Sequence, residues 1–370
     1  MIDYGHGGRM RALNIQVGEK AKNILLEKGL QAADVRVVPA ASGSAKWLAL
    51  SRLDRAIFPW LMNCDREGPL HVVGSSIGAW RMAALAQSDP LAAVIRFEEG
   101  YLGETWEGGG TAEKLTSLSW DFLCHILNDD CVEDILSNPR VRYNVMAVRS
   151  RHFMAREEKA VLMPLLALAA GMNIASRKAL GLFFERALFH DGRDSPPFMD
   201  VDGLPIQHIA ITAHNLRHAI LSTSVIPVLM TGVPDVPDAP SGLYRDGGVI
   251  DYHFDIPLLG HAGGENDELV LYPHFNNRII PGWFDKKLSW RKPSQSNVDR
   301  MVMVSPSADF VASLPYGKIP DRKDFTSLSI TERLAFWNTV LAETERMADE
   351  FREMMLKGNI ADFIQPIDAR

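Results

Sequence analysis

The chain is poor in cysteine, poor in long apolar runs and short of positive charge, and each shortage removes a class of protein. Three cysteines in 370 residues (Cys64, Cys124 and Cys131) leave one odd and show no zinc-type pairing. They predict reduced thiols rather than a disulfide framework. Lysine and arginine number 39 against 46 aspartates and glutamates, and the net charge of −7 argues against a nucleic-acid partner, which needs a basic face. The longest apolar run, Val161 to Met172, contains Pro164 and falls short of the roughly 20 residues a membrane-spanning helix requires. The first ten residues are polar and glycine-rich, without the apolar centre of a signal peptide, so the expectation is a cytoplasmic protein. There is no internal repeat, no low-complexity tract and no linker that clearly divides two domains.

An apolar share of 46% and a charged share of 23% fit a globular chain with a sizeable core. Gly18 to Leu30 has helical spacing, and Asp34 to Pro39 reads as a first strand. An amphipathic stretch follows through Leu48, Leu53, Ile57 and Trp60. Beyond a glycine-rich loop at 103–110, a helix is predicted from about Thr111 to Leu136 and a strand at Arg142 to Val148. Residues 155–190 read as mostly helical, and His208 to Thr212, Leu269 to Tyr272 and Met301 to Val304 as further strands. Pro234 to Pro240 reads as an extended loop. A long helix opens on the capping box Ser329-x-x-Glu332, carries Leu334, Trp337, Leu341, Ala348, Phe351 and Met355 on one face, and stops at Gly358. Strands joined through helices in this order predict an α/β fold with a largely parallel sheet.

Three segments carry chemistry. Leu70 to Trp80 reads as a strand, then Gly74-Ser75-Ser76-Ile77-Gly78, then a helix start. That is the layout of a nucleophile elbow, with Ser76 on a strained turn and the helix dipole aimed beside it. The second segment, Ser42-Gly43-Ser44-Ala45-Lys46, lies between a strand and a helix. On its own it is a tight turn; as a functional loop its amides could bind an oxyanion. The third is Tyr244-Arg245-Asp246-Gly247-Gly248-Val249, alone a common glycine turn, but also a way to present the Asp246 carboxylate to a serine.

In this order the three segments resemble the patatin-like phospholipase family, with its glycine-rich oxyanion loop, Gly-x-Ser-x-Gly elbow and downstream Asp-Gly-Gly. Ser222 to Pro227 is similar to the small-residue helix that the family places before its aspartate. The resemblance spans about Val35 to Pro257. It implies a three-layer sandwich with a mainly parallel central sheet flanked by helices, and a Ser–Asp dyad of Ser76 and Asp246. It further implies an oxyanion hole from the amides of Gly43, Ser44 and Ile77, with Lys46, Gly74, Gly78, Gly247 and Gly248 supporting the motifs. The implied activity is hydrolysis of a lipid or other carboxylic ester, without a cofactor or a metal. The departures are Ser42 and Ser44 in place of glycines, and Trp47 where the loop usually ends in glycine, so that Trp47 could close part of the acyl site. Asp251 to Pro257 replaces a shorter Asn-x-Pro. Lys46 could either pin its loop or touch a lipid phosphate.

Other readings stay open at this level. A histidine triad would need a base such as His253 or His261, because the last histidine is His274. His214 and His218, at i and i+4, lack the glutamate of a zincin. Gly74-x-x-x-Gly78 as a phosphate turn lacks the P-loop Lys-Ser/Thr. A catalytically inactive relative would bind lipid or a protein partner without turnover. Met154 to Phe189, rich in Leu, Met, Ala and Phe, reads as a buried core helix, or else as an interfacial helix pair in peripheral membrane contact or a lid over an acyl-chain pocket. The whole chain, 1–370, is expected to form one α/β domain, with its motifs at 35–257 and a C-terminal extension at 258–370 that matches nothing recognisable. Oligomeric state is not legible.

Overall fold

The computed structural model describes residues 11–103, 110–261 and 267–370. The polar first ten residues and most of the glycine-rich loop at 103–110 lie outside these. The described residues build a mixed, mostly parallel sheet, with helices as the outer layers of an α/β sandwich.

In chain order the strands are β1 (Leu13–Val17), β2 (Val35–Ala40), β3 (Leu70–Gly74), β4 (Val141–Ser150), β5 (Phe184–His190), β6 (Ile206–Ala210), β7 (Val233–Pro234), β8 (Leu243–Arg245), β9 (Leu269–Pro273), β10 (Met301–Pro306) and β11 (Ile364–Pro366). Across the sheet they run β11-β1-β10-β9-β2-β3-β4-β5-β6. The central run from β10 to β4 is parallel throughout. Strands at its centre are buried on both faces, which is why β3 and β9 read as apolar runs rather than alternating ones. Residues 258–370 are woven into this sheet: β9 pairs directly with β2, and β10 pairs with β1.

Several expectations are corrected. Asp34 to Pro39 is not the first strand, because Leu13–Val17 precedes it and pairs antiparallel with β10. Leu13, Ile15 and Val17 do alternate with polar residues, but five residues after a polar segment make a weak signal. The helix expected from Thr111 to Leu136 is two helices, Ala112–Ile126 and Asp129–Ser137. The break falls where the Asn128 side chain accepts the Cys131 amide and starts the second helix.

Residues 155–190 are helical only in part. Lys159–Ala175 is a helix, whereas Phe184–His190 is β5, antiparallel to β4. Phe184, Ala187, Leu188 and Phe189 are wholly buried, so the run has no period to separate strand from helix. The segment read as a core helix, an interfacial helix pair or a lid is therefore one helix and one core strand. Within Pro234–Pro240, only Pro234 joins a strand, in the short β7–β8 pairing.

The long C-terminal helix is Ile330–Lys357, with both capping-box hydrogen bonds formed and Gly358 at φ 63°. It packs on the Ser51–Met62 helix. The Ile77–Leu85 helix is buried along its length. From this helix Arg81 donates twice to the buried carboxylate of Asp54 on the Ser51–Met62 helix, at 2.9 and 2.6 Å.

Candidate active site

The elbow forms because β3 ends between β2 and β4 and the chain must turn sharply into a helix. Ser76 takes φ 54° and ψ −131°, a conformation that costs an L-residue about 1–3 kcal/mol and persists only where neighbours enforce it. Those neighbours are close. The Cβ that any other residue would carry at Gly78 would overlap the carbonyl of Ala40 at the end of β2, and one at Gly74 would overlap the backbone of Ala79. The Ser75 amide donates to Ala40 O at 3.3 Å, and Ser42 Oγ donates to Ser75 Oγ at 2.9 Å. Ser42 thus ties the loop after β2 to the elbow after β3, a use for the hydroxyl where the resemblance implied glycine. Ser44, the second departure, takes φ 52°.

Asp246 arrives by a different route. β4 has ten residues and β3 five, so β4 overhangs the point where β3 ends at the elbow. Its Val148 and Arg149 pair with Arg245 and Tyr244 of β8. The residue after β8 is Asp246, delivered just past the end of β3. Ser76 Oγ donates to Asp246 Oδ2 at 3.0 Å, and the Gly248 amide donates to Oδ1 at 2.7 Å. Gly247 has no room for a side chain, because a Cβ there would overlap Met146 O of β4. Burial is the largest influence on the Asp246 carboxyl and raises it to about 6; the Gly248 amide, the Ser76 hydroxyl, Lys286 and Arg322 pull the other way.

Thr223 joins the two halves. Its Oγ1 accepts the Ser76 amide at 2.9 Å and the Gly247 amide at 3.4 Å, and donates to Met146 O at 2.5 Å. In the sequence Thr223 is only one residue of a small-residue helix, and nothing there singles it out. The amides of Gly43, Ser44 and Ile77 donate to no acceptor among the described residues. Gly43 and Ser44 line the cavity at Ser76, and Ile77 lines its apolar side.

The cavity has two lobes that share Ser44, Ser76, Ile226 and Arg322. One, of about 210 Å³, carries the charged side chains of Lys46, Asp246, Lys286 and Arg322 alongside Tyr252 and Trp283. The other, of about 200 Å³, is walled chiefly by Trp80, Tyr101, Leu118, Phe122, Met230 and Phe325. Trp283, Lys286, Arg322 and Phe325 come from the region beyond 258, where no motif marked them.

Trp47 does not line either lobe. It is buried and stacks on Phe97, with ring centroids 4.1 Å apart, so it backs the apolar wall from behind. Lys46 does reach the cavity and lies over the Phe275 ring at 5.1 Å. The polar route from Asp251 to Pro257 is a set of anchors. Asp251 receives Arg186 at 2.6 and 2.8 Å, His253 Nδ1 accepts the Ile280 amide at 3.0 Å, and Asp255 accepts the Ser294 amide at 2.9 Å.

The histidines stand apart from Ser76 and Asp246. Among the described residues no histidine hydrogen-bonds to Ser76 or Asp246. His253 and His274 are buried against each other, ring centroids 4.3 Å apart. Burial drives both imidazoles toward the neutral form, His253 well below its ordinary value and His274 to about 3. His261 lies at the surface 3.8 Å from Asp200. His214 is exposed, and its carbonyl lies 3.1 Å from His218 Nδ1. No group of three metal-ligating side chains occurs among the described residues, and none of their helices is long and apolar enough to cross a membrane.

No family model matches the chain, and no curated protein sequence matches it. Among solved structures it is similar to human GIVD cytosolic phospholipase A2, at 12% identity and a TM-score of 0.38, covering 96% of this chain and 69% of that one.

Proposed function

We propose that the chain is a serine acyl hydrolase of carboxylic esters, of the patatin-like type, acting on lipid or lipid-like substrates. The observation that carries the reading is the 3.0 Å hydrogen bond from Ser76 Oγ to Asp246 Oδ2, on a strained elbow at the floor of a two-lobed cavity. As Ser76 Oγ attacks the ester carbonyl, its proton passes to Asp246. The oxygen of the tetrahedral adduct is stabilised by the free amides of Gly43, Ser44 and Ile77. Collapse expels the alkoxide, which takes the proton, and water then releases the acyl group by the same path in reverse. A carboxyl raised to about 6 suits this role better than one near 4, because its affinity for the proton lies closer to working pH.

The apolar lobe supports a hydrocarbon acyl chain. The exposed Val161, Met163, Leu168 and Ile174 of the Lys159–Ala175 helix support contact with a lipid surface.

The test is intact-mass analysis after fluorophosphonate treatment. One adduct on the native chain and none on Ser76→Ala is expected. An unlabelled but folded native chain would overturn the hydrolase reading in favour of a binding protein without turnover.

A further inference from the structure

The charged lobe carries more cations than carboxylates on its wall. Lys46, Lys286 and Arg322 come from three separate segments and all border it. Among the described residues, none of the three side chains makes a hydrogen bond or an ion pair with a carboxylate. Lys286 lies over the Tyr252 ring at 4.0 Å and Lys46 over the Phe275 ring at 5.1 Å, so both ammonium groups rest on aromatic faces. Two carboxylates share the wall and offset part of this charge. Asp246, which accepts from Ser76 and Gly248, favours the charged form of Lys286, and Asp321 favours that of Lys46 while it pairs with Lys318 at 3.4 Å. A protein with a net charge of −7 thus gathers more cations than carboxylates beside its candidate nucleophile.

We propose that this lobe is a headgroup subsite in which Lys286 and Arg322, with Lys46, select an ester whose headgroup is a phosphomonoester over one whose headgroup is zwitterionic. The inference rests on the acyl-hydrolase reading for the orientation of the substrate: Ser76 stands where the lobes meet, so the acyl chain enters the apolar lobe and the headgroup the cationic one. Three convergent cations match the several oxygens of a phosphate dianion, whereas a trimethylammonium group would meet like charge. The cations also crowd one another. Burial, Lys46 and Arg322 together lower Lys286 to about 8 against the opposing pull of Asp246, and a bound anion relieves that crowding.

The alternative role for these cations is to steady the Asp246 carboxylate, since Lys286 and Arg322 both favour its charged form. That role would shift a pH profile and leave headgroup choice untouched.

Calorimetry on the Ser76→Ala chain separates the two, with dodecyl phosphate, dodecylphosphocholine (both below micelle formation) and inorganic phosphate as probes. Dodecyl phosphate is expected to bind about tenfold or more tightly than dodecylphosphocholine, and inorganic phosphate far more weakly than either amphiphile. Lys286→Met with Arg322→Gln should bring the two detergents to within about twofold, and Lys286→Arg should keep the preference. If the double variant unfolds, Lys286→Met alone is read in the same way. Equal binding of both detergents by the Ser76→Ala chain, or a preference that survives charge removal, overturns the proposal. Inorganic phosphate binding as tightly as dodecyl phosphate overturns the headgroup assignment and leaves a free-phosphate site. Because the probes are not hydrolysed, failure here is independent of fluorophosphonate labelling, which tests the hydrolase reading.

Discussion

Thr223 Oγ1 accepts the backbone amide of Ser76 at 2.9 Å, and through the same oxygen reaches the Gly247 amide and the Met146 carbonyl. One hydroxyl therefore ties together the elbow, the turn beyond Asp246 and β4, the strand with which both β3 and β8 pair. Thr223→Val keeps the volume and leaves these groups without that partner. We expect kcat to fall about 10- to 100-fold through misplacement of the dyad, and stability to fall by about 1–3 kcal/mol. Thr223→Ser should recover most of both. Ester turnover and urea unfolding of the two variants check this.

The pH dependence follows from Asp246. In the proposed role of base it must be ionised, and its carboxyl lies at about 6 in the folded chain, so kcat/KM should be level above that value and fall about tenfold per pH unit below it. The same shift has a cost in stability. A folded value above the ordinary 3.8 means that the native state holds the proton more tightly. Stability from this group is full below about 3.8 and is lost as pH rises through about 6. Asp246→Asn should therefore abolish turnover and, at pH 7, stabilise the chain by up to about 3 kcal/mol. Thermal melts of both proteins at pH 4 and pH 7 read this out.

Arg81 of the elbow helix and Asp54 of the Ser51–Met62 helix form a buried two-bond pair, and burial pushes the Asp54 carboxyl up against the pull of its arginine. Asp54→Ala strands a buried guanidinium and should cost about 3–5 kcal/mol, whereas replacing both partners with Leu and Met should cost much less. Chemical denaturation of the single and double variants measures the difference.

The apolar lobe sets chain-length preference if it holds the acyl chain. Leu118→Trp adds bulk to its wall, and Leu118 is already partly exposed, so the fold should tolerate the change. The expectation is a loss of about tenfold or more in kcat/KM for a long-chain p-nitrophenyl ester, with little change for the acetate. Equal losses for both esters would place the acyl chain elsewhere.

Local chemistry was readable along the chain. The Ser329–Glu332 capping box and Gly358 marked the ends of the last helix because caps act within four residues. Gly74 and Gly78 marked the elbow because a close backbone approach admits only glycine. Asp246 followed by two glycines marked a turn that could present a carboxylate. Strand β5 reads as helix because complete burial removes the alternation that identifies a strand, and β1 goes unmarked because five residues hold too few repeats.

By itself, then, the sequence determined the turns, the caps, the mostly parallel α/β class and the separate serine and aspartate motifs, all written in short-range patterns. Only the tertiary structure decided that those motifs meet. The overhang of β4 beyond β3 leaves an open edge that β8 fills, and that pairing carries Asp246 across 170 residues to Ser76. The cationic lobe was decided in the same way. Lys46, Lys286 and Arg322 lie far apart in the chain and share a cavity only because β9 and β10 fold residues beyond 258 into the centre of the sheet. Long-range pairing has no period along a sequence, which is why it could not be read there.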